Sequence, residues 1–454
     1  MHFGRKCRFT LVAFARSSSV MLVWSAVGFL LVAAPTGRVH ALVTSSGGPV
    51  GGDHIVGPFD AAFGIDHRGV GRALIDDGFP TPGICTASLL EEGGGRFALT
   101  ATHCLGDGGG VSPAVTGVTV EWETEPGVFV TATATKADGQ IHVNPSYSLT
   151  GDIFAGHDVA LLEFDAPVSL DVPRYKLFDG SYDELAAPMA VKIGYGASGF
   201  GATGATIPAV APPSPGVKRA GLNLWEFKGL GDLLEPEGIF AITENDTQLT
   251  YDFDNGATGD PANDAFDFFF GMSDPGGFGA DEVIVGLGDS GGPSFVPIGG
   301  GEFAIAGVAS YITRLSYDGM GDLELEATAG VSSDITTTVD SSWGEFAVDA
   351  RVANPEISAF LFFVIHITTD FDGDLDVDSD DLAIWETSYG VDDGGDADGD
   401  GDTDGDDFLA WQLDSGLSLA DFLPVVASQA VPEPTTCFLA MLGGLTLLAR
   451  RCRD

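Results

Sequence analysis

Residues 288–293 read Gly-Asp-Ser-Gly-Gly-Pro, and this hexapeptide guides the interpretation of the whole chain. Glycines on both sides of Ser290 permit a sharp turn, in which the amides of Gly288 and Ser290 can point at one spot. A serine hydroxyl needs a general base to become a good nucleophile, and the oxyanion formed on attack needs such amide donors. Asp289 adds a carboxylate beside them. The hexapeptide therefore predicts a nucleophilic serine with an oxyanion hole.

A candidate base and a candidate orienting carboxylate both precede Ser290 in the chain. His103 follows the apolar segment Phe97–Thr100, which is typical of a buried strand. Asp158 stands directly before a second such pattern at 159–164. A carboxylate can hold the tautomer of an imidazole that takes the serine proton. The order His, Asp, Ser thus predicts a complete catalytic set.

These three neighbourhoods resemble those of the trypsin/chymotrypsin-like serine proteases, over roughly residues 55–360. The resemblance implies an all-β, chymotrypsin-like double β-barrel in a domain at 42–362. Ser290 would be the nucleophile, His103 the general base and then acid, Asp158 the orienting carboxylate, and Gly288 and Ser290 the oxyanion donors. No metal is expected to be required for this chemistry. The alternative is a catalytically silent surface-binding protein that keeps the protease fold and docks through its C-terminal module.

The resemblance also gives an expectation for specificity. In the trypsin branch an acidic residue six positions before the serine binds Lys or Arg, whereas this chain has Ile284 there. On the segment that resembles the substrate-binding strand, Ser310 and Tyr311 precede Ile312, where members with wide pockets carry glycine. These residues imply an endopeptidase that cleaves proteins or peptides after small or medium apolar residues.

Two further features concern activation and a second cation site. Ile55-Val56-Gly57 resembles the new N-terminus that, in the family, pairs with the residue before the serine, here Asp289. Neither Lys nor Arg stands directly before Ile55, where a trypsin-type cut would require one, so this pairing is left open. Asp252 and Asp254, in a long insertion, offer a weak candidate cation site.

Composition argues for an exported protein that does not bind nucleic acid. The 454 residues carry a formal net charge of −46, the opposite of what phosphate binding requires. The N-terminus has basic residues, then an apolar run at 20–34, then Val39-His40-Ala41. This order predicts a signal peptide at 1–41, cleaved after Ala41.

Export places the cysteines in an oxidising compartment. Cys7 would leave with the signal peptide, and Cys437 and Cys452 lie in a C-terminal segment that is also predicted to be removed. The remaining pair, Cys85 and Cys104, is therefore predicted to form a disulfide that anchors the turn of His103.

A duplicated acidic element predicts a calcium-binding module at 366–418. Aspartates occupy positions 1, 3, 5, 7, 9 and 12 of two twelve-residue loops: Asp370, Asp372, Asp374, Asp376, Asp378 and Asp381, then Asp396, Asp398, Asp400, Asp402, Asp404 and Asp407. Alternate carboxylates on a turning loop supply the oxygens that Ca²⁺ requires. A short apolar helix is expected after each loop. A disordered acidic linker is the alternative.

The pair of loops and helices resembles a dockerin, a module that in its family docks onto a cohesin partner. Gly401 occupies the sharp-turn position of the second loop, whereas Leu375 stands at that position in the first. The resemblance implies bound Ca²⁺ and a possible cohesin-like partner. A spacer role is the alternative to docking.

The chain ends with a predicted linker at 419–430 and a segment at 431–454 that resembles the PEP-CTERM sorting signal. Val431-Pro432-Glu433-Pro434 is followed by an apolar run at 435–449 and then by arginines. The resemblance implies processing by an exosortase-type enzyme and transient membrane anchoring. The expected location is the surface or exterior of a Gram-negative-type bacterium.

Overall fold

The computed structural model describes residues 42–44, 54–60, 62–147, 156–181, 183–184, 189–207, 217–228, 247–254, 265, 277–317, 323–325 and 338–423. The predicted signal peptide, the sorting signal and most of the predicted linker lie outside these ranges. Within them, no helix combines the length and the apolar character needed to cross a membrane.

The protein is predominantly β, with a curled half-barrel sheet and a few helices near the C-terminal end. The strands in the described ranges are β1 Leu42–Thr44, β2 Val70–Asp76, β3 Gly83–Leu89, β4 Phe97–Thr100, β5 Gly106–Asp107, β6 Gly110–Val111, β7 Gly117–Glu125, β8 Val128–Thr135, β9 Ile141–Val143, β10 Ala160–Glu163, β11 Lys176–Leu177, β12 Ala190–Gly194, β13 Ser198–Phe200, β14 Gly204–Ile207, β15 Arg219–Asn223, β16 Gln248–Asp252, β17 Val283–Ile284, β18 Pro293–Gly299, β19 Glu302–Thr313, β20 Leu315–Tyr317, β21 Leu323–Leu325 and β22 Phe346–Arg351. The apolar strand predicted before His103 is confirmed as β4.

The first seven-stranded sheet brings the regions of His103 and Asp158 together. Its order is β8-β7-β2-β3-β4-β10-β9. Strands β4 and β10 are antiparallel, with Thr100 opposite Ala160. The end of β4 therefore lies beside the start of β10, so the turn that carries His103 and the residue that precedes β10 meet at one edge.

The second large sheet carries the remaining part of the site. Its order is β15-β12-β18-β19-β22-β16, and β11 pairs with β19. The segment of Ser290 leads directly into β18, which is antiparallel to β19. A smaller sheet of order β14-β13-β1-β17 begins with the first described residues, 42–44.

One cluster of buried side chains joins the two large sheets to a helix near the C-terminal end. We refer to it as the main core cluster. It includes Leu161 of β10, Phe295 of β18 and Phe360 of a helix at the C-terminal end. Burial of such large apolar side chains provides most of the driving force for folding.

Four α-helices lie in the described C-terminal part: α1 Pro355–His366, α2 Ser379–Ser388, α3 Gly405–Asp414 and α4 Leu419–Phe422. The Asn354 side chain caps α1 by accepting from the amides of Glu356 and Ile357. The two helices predicted after the acidic loops are confirmed as α2 and α3.

Helices α1 and α4 cross the boundaries predicted from composition. Helix α1 continues past residue 362, where the first domain was expected to end, and α4 occupies the start of the predicted linker. The Phe422 ring of α4 lies 5.5 Å from that of Phe362 and 5.7 Å from that of Phe363. Aromatic packing therefore joins the acidic module directly to α1.

Candidate active site and candidate calcium loops

His103 and Asp158 form a close hydrogen-bonded pair. The His103 Nδ1 donates to Asp158 Oδ2 across 2.7 Å, and the His103 amide donates to Oδ1 across 2.9 Å. The two bonds fix the position and the tautomer of the ring, and Nε2, the nitrogen not bonded to Asp158, lies 4.0 Å from Cys104 Sγ. The neighbouring Thr102 hydroxyl donates to Val159 O across 2.5 Å and ties the His103 turn to β10.

Burial and charge act in opposite directions on both groups. Burial disfavours the imidazolium, but the charge of Asp158 and its hydrogen bond outweigh this and raise the pKa of His103 above its ordinary value. Burial likewise opposes the carboxylate, yet His103 and the Ser310 hydroxyl lower the pKa of Asp158. Ser310 Oγ donates to Asp158 Oδ2 across 2.5 Å. An irregularity between Ala309 and Tyr311 in β19 accompanies this orientation of Ser310.

The loop that carries Ser290 depends on glycines. Gly288 and Gly291 have φ values of 99° and 80°, which side chains rarely adopt. A Cβ at Gly291 would lie 2.2 Å from Thr100 Oγ1 and 2.4 Å from Thr86 O. The Thr86 amide donates to Ser290 O across 2.8 Å and holds this loop against β3. Glycine is thus required for the turn that presents Ser290.

The carbonyl of the peptide unit before Gly288 is held by a hydrogen bond. The Ala197 amide donates to Leu287 O across 2.6 Å, so the Gly288 N–H of the same trans unit points the opposite way. Within the described part of the chain, the amides of Gly288 and Ser290 donate to no protein acceptor. Both predicted donors are therefore free to bind an oxygen.

A cavity of about 360 Å³ contains His103, Asp158 and Ser290 in its wall. Ser310, Tyr311 and Ile312 line the same cavity. The geometry therefore brings all three candidate catalytic side chains and the three candidate substrate-binding residues of β19 to one place.

Ile284 is not among the residues that line this cavity. Its side chain is fully buried in β17, where it pairs with Val43, and its neighbour Val285 lines the cavity instead. Successive side chains in extended backbone point to opposite sides, so Val285 rather than Ile284 faces the cavity. An apolar residue still occupies the wall.

Sequence reasoning missed two residues of the cavity wall, Tyr147 and Leu287. Tyr147 is buried close to Asp158, and burial raises its pKa. Leu287 is 78% exposed, an unusual position for leucine, between two glycines of the nucleophile loop. The Gly-Leu-Gly sequence was a signal for Leu287, but Tyr147 precedes residues outside the described ranges and had no local signature.

Asp289 is buried next to the nucleophile and accepts three backbone hydrogen bonds. The amides of Gly196, Gly286 and Leu42 lie 2.7, 2.8 and 3.3 Å from its carboxylate oxygens. Burial raises the pKa of Asp289 to about 7 despite these bonds. The charge of Arg219 also favours the ionised form, but burial outweighs it together with the three bonds.

Ile55 does not occupy the position that the resemblance suggested for it. It forms an isolated bridge with Arg219, and its side chain is 38% exposed. Leu42 instead contacts Asp289, from a completely buried position in β1. Leu42 is the first residue after the predicted cleavage site.

The predicted disulfide between Cys85 and Cys104 is confirmed. It links β3 to the short 3₁₀ turn Thr102–Cys104, which contains His103. The imidazole is therefore held by a covalent link on one side and by Asp158 on the other.

The two acidic loops have matching geometry. Carboxylate oxygens of Asp370, Asp372 and Asp374 lie within 4.8 Å of one another, and those of Asp396, Asp398 and Asp400 do the same. In each loop the position-12 carboxylate, Asp381 or Asp407, accepts amides from both ends of its loop. Clustered carboxylates of this kind have the chemistry of a hard-cation site.

Helices α2 and α3 pair through reciprocal tryptophan contacts. The Trp385 indole donates to Asp404 O across 2.9 Å, and the Trp411 indole donates to Asp378 O across 3.1 Å. The rings of Trp385 and Phe408 lie 4.7 Å apart. Each loop is thereby attached to the helix that follows the other loop.

Leu375 explains why the first loop lacks glycine. It has a φ of 72°, the left-handed conformation expected of glycine at this position. Its side chain packs against the main core cluster together with Leu419, whose amide donates to Leu375 O across 2.9 Å. Backbone strain is offset here by apolar contact between the first loop and the β-rich body.

Asp252 and Asp254 do not form an acidic cluster in the described ranges. Both are buried, and Asp252 Oδ2 accepts the Ala265 amide across 2.8 Å. Among the described residues, the acidic groups that lie close enough together to share a cation belong to the two C-terminal loops.

Comparison of the chain with models of known protein families and with curated proteins found no match.

Proposed function

We propose that the protein is an exported serine endopeptidase with a chymotrypsin-like double β-barrel and Ser290 as its nucleophile. The observation that carries this proposal is the arrangement around one cavity: the His103–Asp158 pair, Ser290 and two amides that donate to no described acceptor. Structural ion pairs are common in proteins, but such a pair beside a serine and free amides fits acyl transfer.

The residues have distinct roles in the proposed reaction. Ser290 Oγ bonds to the substrate carbonyl carbon while its proton passes to His103 Nε2. The carbonyl oxygen becomes an oxyanion that accepts hydrogen bonds from the amides of Gly288 and Ser290. His103 then protonates the departing amine, and water reverses the steps to hydrolyse the acyl-enzyme. Asp158 remains ionised and keeps the ring in place.

Replacement of the nucleophile and the base tests this assignment. We expect Ser290→Ala and His103→Ala each to lower kcat by about 10⁴-fold or more, and the double variant to be no worse than the poorer single one. A fluorophosphonate should label the wild type and not Ser290→Ala. Ser88→Ala, which alters a buried serine away from the cavity, is the matched control. An unlabelled wild type without peptidase activity would favour the catalytically silent alternative.

We propose that the substrates are proteins or peptides with a small or medium apolar residue before the cleaved bond. Val285, Leu287 and Ile312 give the cavity an apolar wall near Ser290. A carbon-rich wall cannot compensate the desolvation of a Lys or Arg charge. Cleavage of a peptide library by the mature protein tests this expectation, and a strong preference for Lys or Arg would contradict it.

We further propose that removal of residues 1–41 completes the site. Cleavage after Ala41 would turn the Leu42 amide into an ammonium group beside the Asp289 carboxylate, 3.3 Å away in the intact chain. The ion pair would support the loop of Ser290, so export itself would activate the enzyme without a second cut at Ile55.

The acidic module is proposed to bind two Ca²⁺ in a dockerin-like arrangement. The matching carboxylate clusters and the reciprocal tryptophan contacts support this assignment. Docking to a cohesin-like partner is one role, and a spacer is the other. The terminal segments imply exosortase-type processing, transient anchoring and delivery to the surface of a Gram-negative-type cell.

A further inference from the structure

The hydroxyl of Thr86 links the loop of Ser290 to the body of the fold. Thr86 lies in β3, next to Cys85, and its side chain is fully buried. Its Oγ1 donates to Gly288 O across 3.1 Å, and it accepts the Tyr195 amide across 3.3 Å. A hydroxyl has a single proton, so with Tyr195 as the donor to its oxygen, that proton is directed to Gly288.

The Thr86 contact fixes the peptide unit that follows Gly288. The carbonyl end of this unit is held by Thr86, and the Asp289 amide at its other end donates to Gly286 O across 2.9 Å. The φ torsion of Gly288, at 99°, connects this unit to the preceding one, whose N–H is the candidate oxyanion donor. Fixing one unit therefore restricts the direction of the other.

We propose that Thr86 is a positioning residue that preorganises the Gly288 amide for the oxyanion. The inference rests on the proposed peptidase function and deepens it. The Ala197 amide holds the carbonyl of the unit that carries the Gly288 N–H, and Thr86 holds the unit that follows. Without the hydroxyl, Gly288 O would lose its donor, and the first unit would be restrained on one side only, at a glycine that permits rotation. The amide would then point away from the oxyanion for part of the time, and preorganisation is what makes such donors effective.

The test compares Thr86→Val, which removes the hydroxyl at nearly constant volume, with Thr86→Ser, which keeps it. We expect Thr86→Val to lower kcat by about 10- to 100-fold with KM within about twofold, because ground-state binding does not need the oxyanion donor. Thr86→Ser should stay within about threefold of wild type. Thr250→Val is the matched control, since Thr250 is equally buried and its hydroxyl bonds to no described residue.

Inhibition by a peptide aldehyde provides a second measurement. Its tetrahedral adduct places an oxygen in the oxyanion hole, so its inhibition constant should rise in proportion to the loss of kcat/KM in Thr86→Val. A kcat within twofold of wild type, a change confined to KM, or equal damage in Thr86→Ser would overturn the proposal. If Thr86→Val does not fold, as judged by circular dichroism, Thr86→Ala takes its place with the same expected loss of kcat.

The same experiments separate this inference from the proposed function. If the wild type hydrolyses no peptide and is not labelled by a fluorophosphonate, both proposals fail. If the wild type is active and Thr86→Val is equally active, the positioning role alone fails.

Discussion

His103 illustrates how a single neighbouring charge can decide the protonation of a half-buried histidine. Burial alone would lower the pKa of the imidazole, and the Asp158 carboxylate at 2.7 Å reverses this effect. A general base has to be neutral to accept a proton. The pair therefore orients the ring but also requires a higher pH for activity than an isolated histidine would.

This balance predicts the acidic limb of the pH profile. We expect kcat/KM to fall with decreasing pH through an apparent pKa above 6.5, the ordinary value for histidine. Activity should be complete on the alkaline side, where His103 is neutral. Initial rates on a peptide substrate across the pH range would measure the limb, and a midpoint at or below 6.5 would contradict the raised pKa of His103.

Asp289 predicts a pH-dependent difference between the precursor and the mature chain. Its folded pKa of about 7 exceeds the ordinary 3.8, so in the precursor its contribution to stability is complete below pH 3.8 and is lost as pH rises through about 7. An ammonium group at Leu42 would lower this pKa and reduce the loss. We expect a chain that begins at Leu42 to lose less thermal stability between pH 5 and 8 than one that retains Ala41.

Peptidase activity supplies the second measurement on these two chains. The chain that begins at Leu42 should be the more active, because the ion pair with Asp289 supports the loop of Ser290. Equal activity and parallel melting curves in both chains would show that the Leu42 amine has no such role. Asp289→Asn in the mature chain should abolish the difference.

Local signatures identified the three candidate catalytic residues in the sequence, whereas contacts between distant segments left no such signature. Ser290, His103 and Asp158 each stand in a short motif with its own physical reason. Leu42 is 247 residues from Asp289 in the chain, and Thr86 is 202 from Gly288. Nothing in either local segment specifies such a partner, so these two roles required the structure.

Strands β3 and β4 hold the turn of His103 through the disulfide as well as through pairing. The bridge closes a loop with a sequence separation of 19 between Cys85 and Cys104. Restricting a loop of this length in the unfolded chain stabilises the fold by roughly 3 kcal/mol. The strands predicted at Phe97–Thr100 and at 159–164 are confirmed as β4 and β10, but the short α4 has no periodic pattern to reveal it.

The disulfide predicts separable effects on stability and activity. We expect Cys85→Ser with Cys104→Ser to lower the free energy of unfolding by roughly 3 kcal/mol and to reduce kcat more than KM, because the His103 turn loses its covalent link. Denaturant unfolding and steady-state kinetics would measure both. The Ser88→Ala variant controls for a change in β3, and an unchanged unfolding free energy would contradict the stabilising role.

The acidic module and the β-rich body share contacts, so the protein is more integrated than its composition indicated. Leu375 and Leu419 reach the main core cluster, and Phe422 packs on α1. Helix α1 in turn contacts the active-site region, where Glu356 accepts from His157, the residue before Asp158, across 2.6 Å. The sequence predicted two domains joined in series because neither contact has a local signature.

Calcium removal tests how far this integration extends. Without metal, the clustered carboxylates of both loops repel one another, whereas two Ca²⁺ would offset four charges and favour the pairing of α2 with α3 through the indoles of Trp385 and Trp411. We expect EDTA to change tryptophan fluorescence and to expose residues 370–418 to proteolysis. Most peptidase activity should survive, because the His103–Asp158 pair contains no metal ligand, but the melting temperature of the full chain should fall through the lost contacts of Leu375 with the body.

Asp396→Ala with Asp407→Ala should reproduce the effects in the second loop alone and leave Leu375 in place. Calorimetry that detects no Ca²⁺ binding to the full chain would remove the metal proposal, and complete loss of activity in EDTA would show that the body itself depends on the module.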